Sequence, residues 1–219
     1  MPKKSLTIRS LQSEANAFAQ AQSSFPEPAL YGVTDGKAVG TYVEHKFKAY
    51  LETKYKFQSG NAASGIDLPE LEVDIKVTSA VQPQSSCPFR SARQKIFGLG
   101  YSLLVFVYSK HDDPETQTST LDMRHTVFVE AARTADNQTS RGIIRLLENG
   151  ANVDDLTAFM FERNLPLDDI EASAIAEELL QTGSLLEGYL TISNALQWRL
   201  QYTRVITQAG KVDGIVRIL

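Results

Sequence analysis

The 219-residue chain reads as an α/β protein, a mixed β-sheet core flanked by helices and followed by a mainly helical C-terminal subdomain that ends in a β-hairpin. Three observations predict this. Up to about residue 131, helical patterns alternate with β-prone runs, and "YSLLVFVYSK" among them is apolar almost throughout, as a strand covered on both faces must be. Beyond it, "RGIIRLLENG", "VDDLTAFMFERNL" and "LDDIEASAIAEELLQTG" are helical patterns. The last stretch holds two β-prone runs around "QAGKVDG", a hairpin signal.

Taken in order, residues 11 to 22 have helical composition, and the proline-containing "SSFPEPALYG" after them is a loop. A helix is expected from about Lys37 to Tyr55, because Val43, Phe47, Tyr50 and Leu51 recur on one face. Two short strands, Ser64 to Leu68 and Leu71 to Thr78, should flank a tight reversal at Pro69 and Glu70. The polar "VQPQSSCPFRSARQ" reads as a loop into a helix of roughly Ser91 to Leu99, closed by Gly98 and Gly100. "MRHTVFVEA" supplies another strand, and Asp154 and Asp168 suit the first turns or caps of later helices. The expected division is a core over residues 1–137 and a helical, winged-helix-like subdomain over 138–219.

Composition excludes several classes. No apolar run approaches the ~20 residues that cross a bilayer, and "MPKKSLTIRS" lacks the apolar stretch of a secretory signal. A soluble, cytoplasmic protein is the expectation. The single Cys87 rules out an internal disulfide framework, and His45, His111 and His125 lack metal-ligand spacing. Net charge is −4, yet from Ile75 to His111 there is no acid, while Lys76, Arg90, Arg93, Lys95 and Lys110 fall inside. That gap points to a locally positive region suited to a polyanion.

The chemistry concentrates in "GIDLPELEVDIKVTS", Gly65 to Ser79. Strand alternation sends Val73, Ile75 and Val77 one way and Asp74, Lys76 and Thr78 the other. The reversal folds Asp67 back beside Asp74, so two carboxylates and an ammonium converge. Paired carboxylates repel unless something positive lies between them. A hard divalent cation such as Mg²⁺, held by one or two carboxylates with water and substrate phosphate, satisfies that need.

Asp67, six residues, then Asp74-Ile75-Lys76 resembles the PD-(D/E)xK nuclease signature. The spacing looks most like that of the mismatch-repair nicking enzyme MutH and its restriction-enzyme relatives. The preceding helix and the following "SARQKIFGLGYSLLVFVY" resemble type II restriction endonucleases, so the likeness covers about Lys37 to Ala131. Ile66 stands where the signature has proline, and Asp74 where glutamate is commoner. The resemblance implies a restriction-endonuclease-like fold and sequence-specific, Mg²⁺-dependent cleavage of double-stranded DNA. It further implies metal ligation by Asp67, Asp74 and the Ile75 carbonyl, and a supporting role for Glu44 on the preceding helix. Lys76 would orient the attacking water and offset charge on the phosphate.

Further expectations concern DNA. Gln82, Gln84, Ser85, Ser86, Arg90, Arg93, Gln94 and Lys95 leave the site strand without an acid and can bond phosphates or base edges. A homodimer is expected, since a two-fold protein matches a palindromic duplex. Two other functions stay open, a MutH-like strand-nicking repair enzyme and a non-catalytic DNA-binding protein whose acids only pair with lysines. Near the C-terminus, Arg199, Arg204, Lys211, Gln197, Gln201, Tyr202 and Gln208 could read DNA, or Trp198, Leu200 and Tyr202 could simply pack a core or a dimer contact.

Overall fold

The computed structural model describes residues 3–60, 65–87, 91–193 and 198–219. Strand β1 (Lys4–Ser5) precedes helix α1 (Ile8–Ser23), whose cap Thr7 and third residue Ser10 bond each other's backbone amides reciprocally. Helix α2 (Gly36–Lys54), capped by Asp35, leads to β2 (Tyr55–Lys56), which lies parallel to β1. A 3-10 turn over Pro69–Leu71 enters β3 (Val73–Ser79), followed by β4 (Gln84–Ser86) and α3 (Ala92–Phe97). Strands β5 (Ser102–Asp113) and β6 (Thr118–Val129) form a long hairpin. Helices α4 (Asn137–Glu148), α5 (Val153–Glu162) and α6 (Asp169–Thr182) come next. The chain closes with β7 (Thr191–Ile192), β8 (Arg199–Gln201), α7 (Thr203–Gln208) and β9 (Ile215–Arg217).

Among the described residues the largest sheet runs β3-β5-β6-β9, with β3 parallel to β5 and the other pairs antiparallel. This is the mixed sheet the sequence predicts. One face packs on α1 and α2, where Phe47 meets Phe18 at 5.0 Å and Phe106 at 5.1 Å between ring centroids. The other face, through Leu103, Val105, Val107, Val127 and Val129, packs on Leu200, Tyr202 and Val205. A separate apolar cluster joins α3 to α4, α5 and α6.

Three expectations are corrected. Residues 65–68 form no strand, and Ser64 lies outside the described residues. Leu68 makes only a bridge to Val73, because the 3-10 turn and the left-handed Glu72 (φ 52°) reverse the chain too sharply for a ladder. The segment 81–87, expected as loop, contains β4, anchored where the Thr78 hydroxyl bonds both the amide and the carbonyl of Gln84 at 3.0 Å. The terminal hairpin does not form. Its first run becomes α7, and β9 pairs with β6, because burying Val205 and Ile215 against the sheet outweighs local β propensity. The chain past residue 137 therefore returns to complete the sheet.

The ring of Phe47 fixes α2 on the sheet and thereby the position of the site described next. Phe47→Ala is expected to lower unfolding free energy by ~3–5 kcal/mol in denaturant titration, and a loss below ~1 kcal/mol would show that the ring is dispensable.

Candidate active site

Strand β3 directs Val73, Ile75 and Val77 at the core under α1 and α2 and sends Asp74 to the opposite face, where it is only 3% exposed. The turn at Pro69–Leu71 carries Asp67 back along the free edge of β3, and its Oδ2 accepts a hydrogen bond from the Ile75 amide at 2.9 Å. Helix α2 comes close because Gly40 has no side chain; a β-carbon there would lie 3.2 Å from the Val77 carbonyl. From that helix Lys48 extends its ammonium to 2.6 Å from Asp67 Oδ1 and 2.9 Å from Glu44 Oε1. Lys76 Nζ lies 2.6 Å from Asp74 Oδ2.

Three carboxyl groups and two ammonium groups thus share a partly dry volume, and their acidities separate. Burial pushes the Asp74 carboxyl up to about 7 against the pull of Lys76, helped by its hydrogen bond with Asp67. Asp67 is also buried, but hydrogen bonds from Asp74, Lys48 and the Ile75 amide outweigh this and draw it down to about 2. The aspartates therefore share one proton below about pH 7, and burial favours its place on Asp74. Burial raises Glu44, with the charge of Asp67 acting in the same direction and Lys48 against it. For Lys48, burial alone would lower the ammonium, and its two carboxylate partners more than offset that.

The arrangement is incomplete at Asp74 Oδ2. Lys76 stands beside this buried oxygen outside hydrogen-bond geometry, so Oδ2 has a neighbouring charge and no donor. The N–H and C=O of a strand residue point to the same edge, so the Ile75 carbonyl faces the side occupied by Asp67. Two carboxylates and one carbonyl are hard oxygen donors, and they fit a Mg²⁺-like ion whose shell is completed by water and phosphate. Among the described residues no group of three or more His, Cys, Asp or Glu could hold an ion by itself, and Glu44 is engaged by Lys48.

Comparison with known proteins follows the same direction. The family model described as type II restriction enzyme NspV matches residues 5–217. The chain belongs to the NspV family. Type II restriction enzyme NspV of Nostoc sp. is 62% identical over 213 residues, which cover 97% of this chain and 96% of that relative. No solved structure matches.

Other site candidates in this NspV-family chain scatter more widely. Gln82 is exposed, and Gln84 and Ser86 lie on β4 with Ser85 between them, its hydroxyl turned inward to the buried hydroxyl of Tyr202. Arg90 lies outside the described residues. Arg93 pairs with Glu178 of α6 at 2.7 Å, and Gln94 is half-buried on α3. Lys95 is 3% exposed on α3, 5.3 Å from the Trp198 ring centroid, and burial lowers its ammonium despite the nearby Asp136. Leu200 and Tyr202 are core, as the packing alternative proposes. Glu70 caps the Gln58 amide and Glu72 is an exposed turn residue. Sequence reasoning missed Lys48, although an α2 facing β3 through Phe47 and Leu51 would carry it to Asp67.

The two aspartates give opposite pH dependences. Asp74 titrates higher when folded than when unfolded, so its contribution to stability is full below the ordinary carboxylate range and fades as pH rises through about 7. Asp67 titrates lower when folded, so its contribution holds above the ordinary range and disappears as pH falls toward about 2. In chelator, the melting temperature of the wild type should fall between pH 5 and 8. Asp74→Asn should flatten that slope and gain ~3 °C or more at pH 8. Parallel melting curves for the two proteins across this range would show that Asp74 does not bear the proton.

Proposed function

We propose that this chain is a type II restriction endonuclease of the PD-(D/E)xK kind, hydrolysing phosphodiester bonds in double-stranded DNA at a specific sequence with Mg²⁺. The observation that carries the proposal is the convergence of Asp67 and Asp74 on the free edge of β3, with Lys76 against Asp74 and one buried carboxyl oxygen lacking a donor. A protein whose acids served only as surface ion pairs would keep them solvated, and Asp74 is buried.

Asp67, Asp74 and the Ile75 carbonyl would hold the ion. When bound, it acidifies water and polarises the phosphoryl oxygen. The remaining work falls to the chain itself. The Lys76 ammonium, extended from the same face as Asp74, orients the attacking water and offsets the charge that grows on the phosphate. Lys48 fixes Asp67 and Glu44 relative to each other, keeping the Asp67 carboxylate ionised and its second oxygen on the Ile75 amide. Family membership supports DNA as the substrate. A homodimer would place one such site on each strand of a palindrome.

The test is incubation of purified protein with mixed-sequence DNA and Mg²⁺, followed by sequencing of the ends. Discrete ends and linear product from supercoiled plasmid are expected, and chelation should abolish both. Nicked circles alone would favour a single-strand enzyme, and intact DNA would refute the proposal. Lys76→Ala should cut ~10²–10³-fold more slowly while binding the same duplex. A cleavage rate within the error of wild type would remove Lys76 from the mechanism.

A further inference from the structure

We propose that the small sheet formed by β4, β8 and β7 reads base edges in the major groove, with Gln84, Gln201 and Arg199 as the discriminating side chains. The inference rests on the endonuclease reading above. In the antiparallel pair, Gln84 lies opposite Gln201 and Ser86 opposite Arg199. Directly opposed residues share a face, as do residues two apart on one strand, so all four project from the same side. The reverse side carries Ser85, Leu200 and, from β7, Ile192, with Leu200 and Ile192 buried in the core and the Ser85 hydroxyl on Tyr202. The sheet is therefore apolar within and polar without, and none of its outward residues is acidic; β7 adds Thr191.

The outward set matches base recognition by type. A side-chain amide can pair bidentately with adenine N6 and N7, and a guanidinium with guanine O6 and N7. A two-stranded ribbon fits the major groove. Exposed Arg199 forms no ion pair among the described residues. Its charge complements a duplex. The location also suits a reader. Thr78, four residues past Asp74 on the same strand, bonds both backbone polar groups of Gln84, so β4 is fixed to the strand that carries the site.

Wild type, Arg199→Ala, Arg199→Lys and Gln201→Ala would be compared in two measurements, with thermal unfolding to confirm that each variant folds. The first sequences the ends cut from mixed-sequence DNA with Mg²⁺. The second measures equilibrium binding to the cognate duplex and to a scrambled one, with Ca²⁺ in place of Mg²⁺. Both arginine variants should relax the requirement at a G·C pair, since lysine keeps the charge without the planar fork, and Gln201→Ala should relax it at an A·T pair. For the two alanine variants, cognate affinity should fall ~10- to 100-fold, with scrambled-duplex affinity unchanged. Unaltered end sequences would overturn the proposal, and so would equal losses on both duplexes, which mark a phosphate contact. If the wild type itself yields no defined ends, the endonuclease reading fails; the duplexes for the Ca²⁺ binding measurement are then those enriched by binding selection, and an unchanged sequence preference in the variants overturns the base-reading role as well.

Discussion

The structure depends on one constraint: two aspartates, Asp67 and Asp74, are held together where water is scarce. Such a pair cannot carry two full negative charges without compensation. Each neighbouring feature answers that demand. The Ile75 amide and Lys48 stabilise Asp67 as an anion, while Asp74, more deeply buried, keeps the proton. The amide is available only because β3 is an edge strand whose outer side is not filled by a neighbour. Lys48 arrives only because α2 packs flush on the sheet through Val43, Phe47 and Leu51 and crosses Val77 at a glycine. The core thus places charges as well as providing stability.

The opposite face shows the same economy of placement. An edge strand with polar residues on one side would ordinarily expose them, yet Asp74 and Thr78 are buried. The chain past residue 180 covers them: β8 pairs with β4, Tyr202 fills the interior, and β9 closes the far edge of the main sheet. Since β4 is anchored through Thr78, the small sheet is tied to β3 through hydrogen bonds rather than through a loop alone.

What could be read in advance was what repeats locally or lies within one turn. Helix α2 was legible from the spacing of Val43, Phe47 and Leu51, and β5 from its unbroken apolar run. Asp67 and Asp74 were legible as a pair because only a short reversal separates them. Where partners are distant, local pattern failed. The β-branched run before Gly210 folds as α7, and β9 joins β6, nearly ninety residues upstream in its register. The acid-free stretch from Ile75 to His111 misled for a related reason. Much of it is buried, including Ala92, Lys95, Ile96 and all residues from Leu103 to Tyr108, so acids are absent because the interior excludes them and not because the surface is uniformly positive. Lys95 illustrates this at one residue: it lies among Asp136 and Trp198, both far along the chain.

Charge balance connects the resting site to the proposed chemistry. Asp67 stays ionised beside Lys48, burial holds the Asp74 carboxyl up at about 7 beside Lys76, and Glu44 is raised as well, so the resting cluster does not carry the full charge of its three acids. If Asp74 gives up its proton to accept a divalent ion, the cluster gains one net positive charge, which is the charge of a single phosphodiester reversed. Substrate and ion then become mutually dependent, because each makes the other's burial less costly. The raised acidity range of Asp74 is accordingly more than a by-product of packing. On the proposed reading it would keep the site from holding an uncompensated charge until ion and phosphate were both present, and ion binding at Asp74 would release a proton.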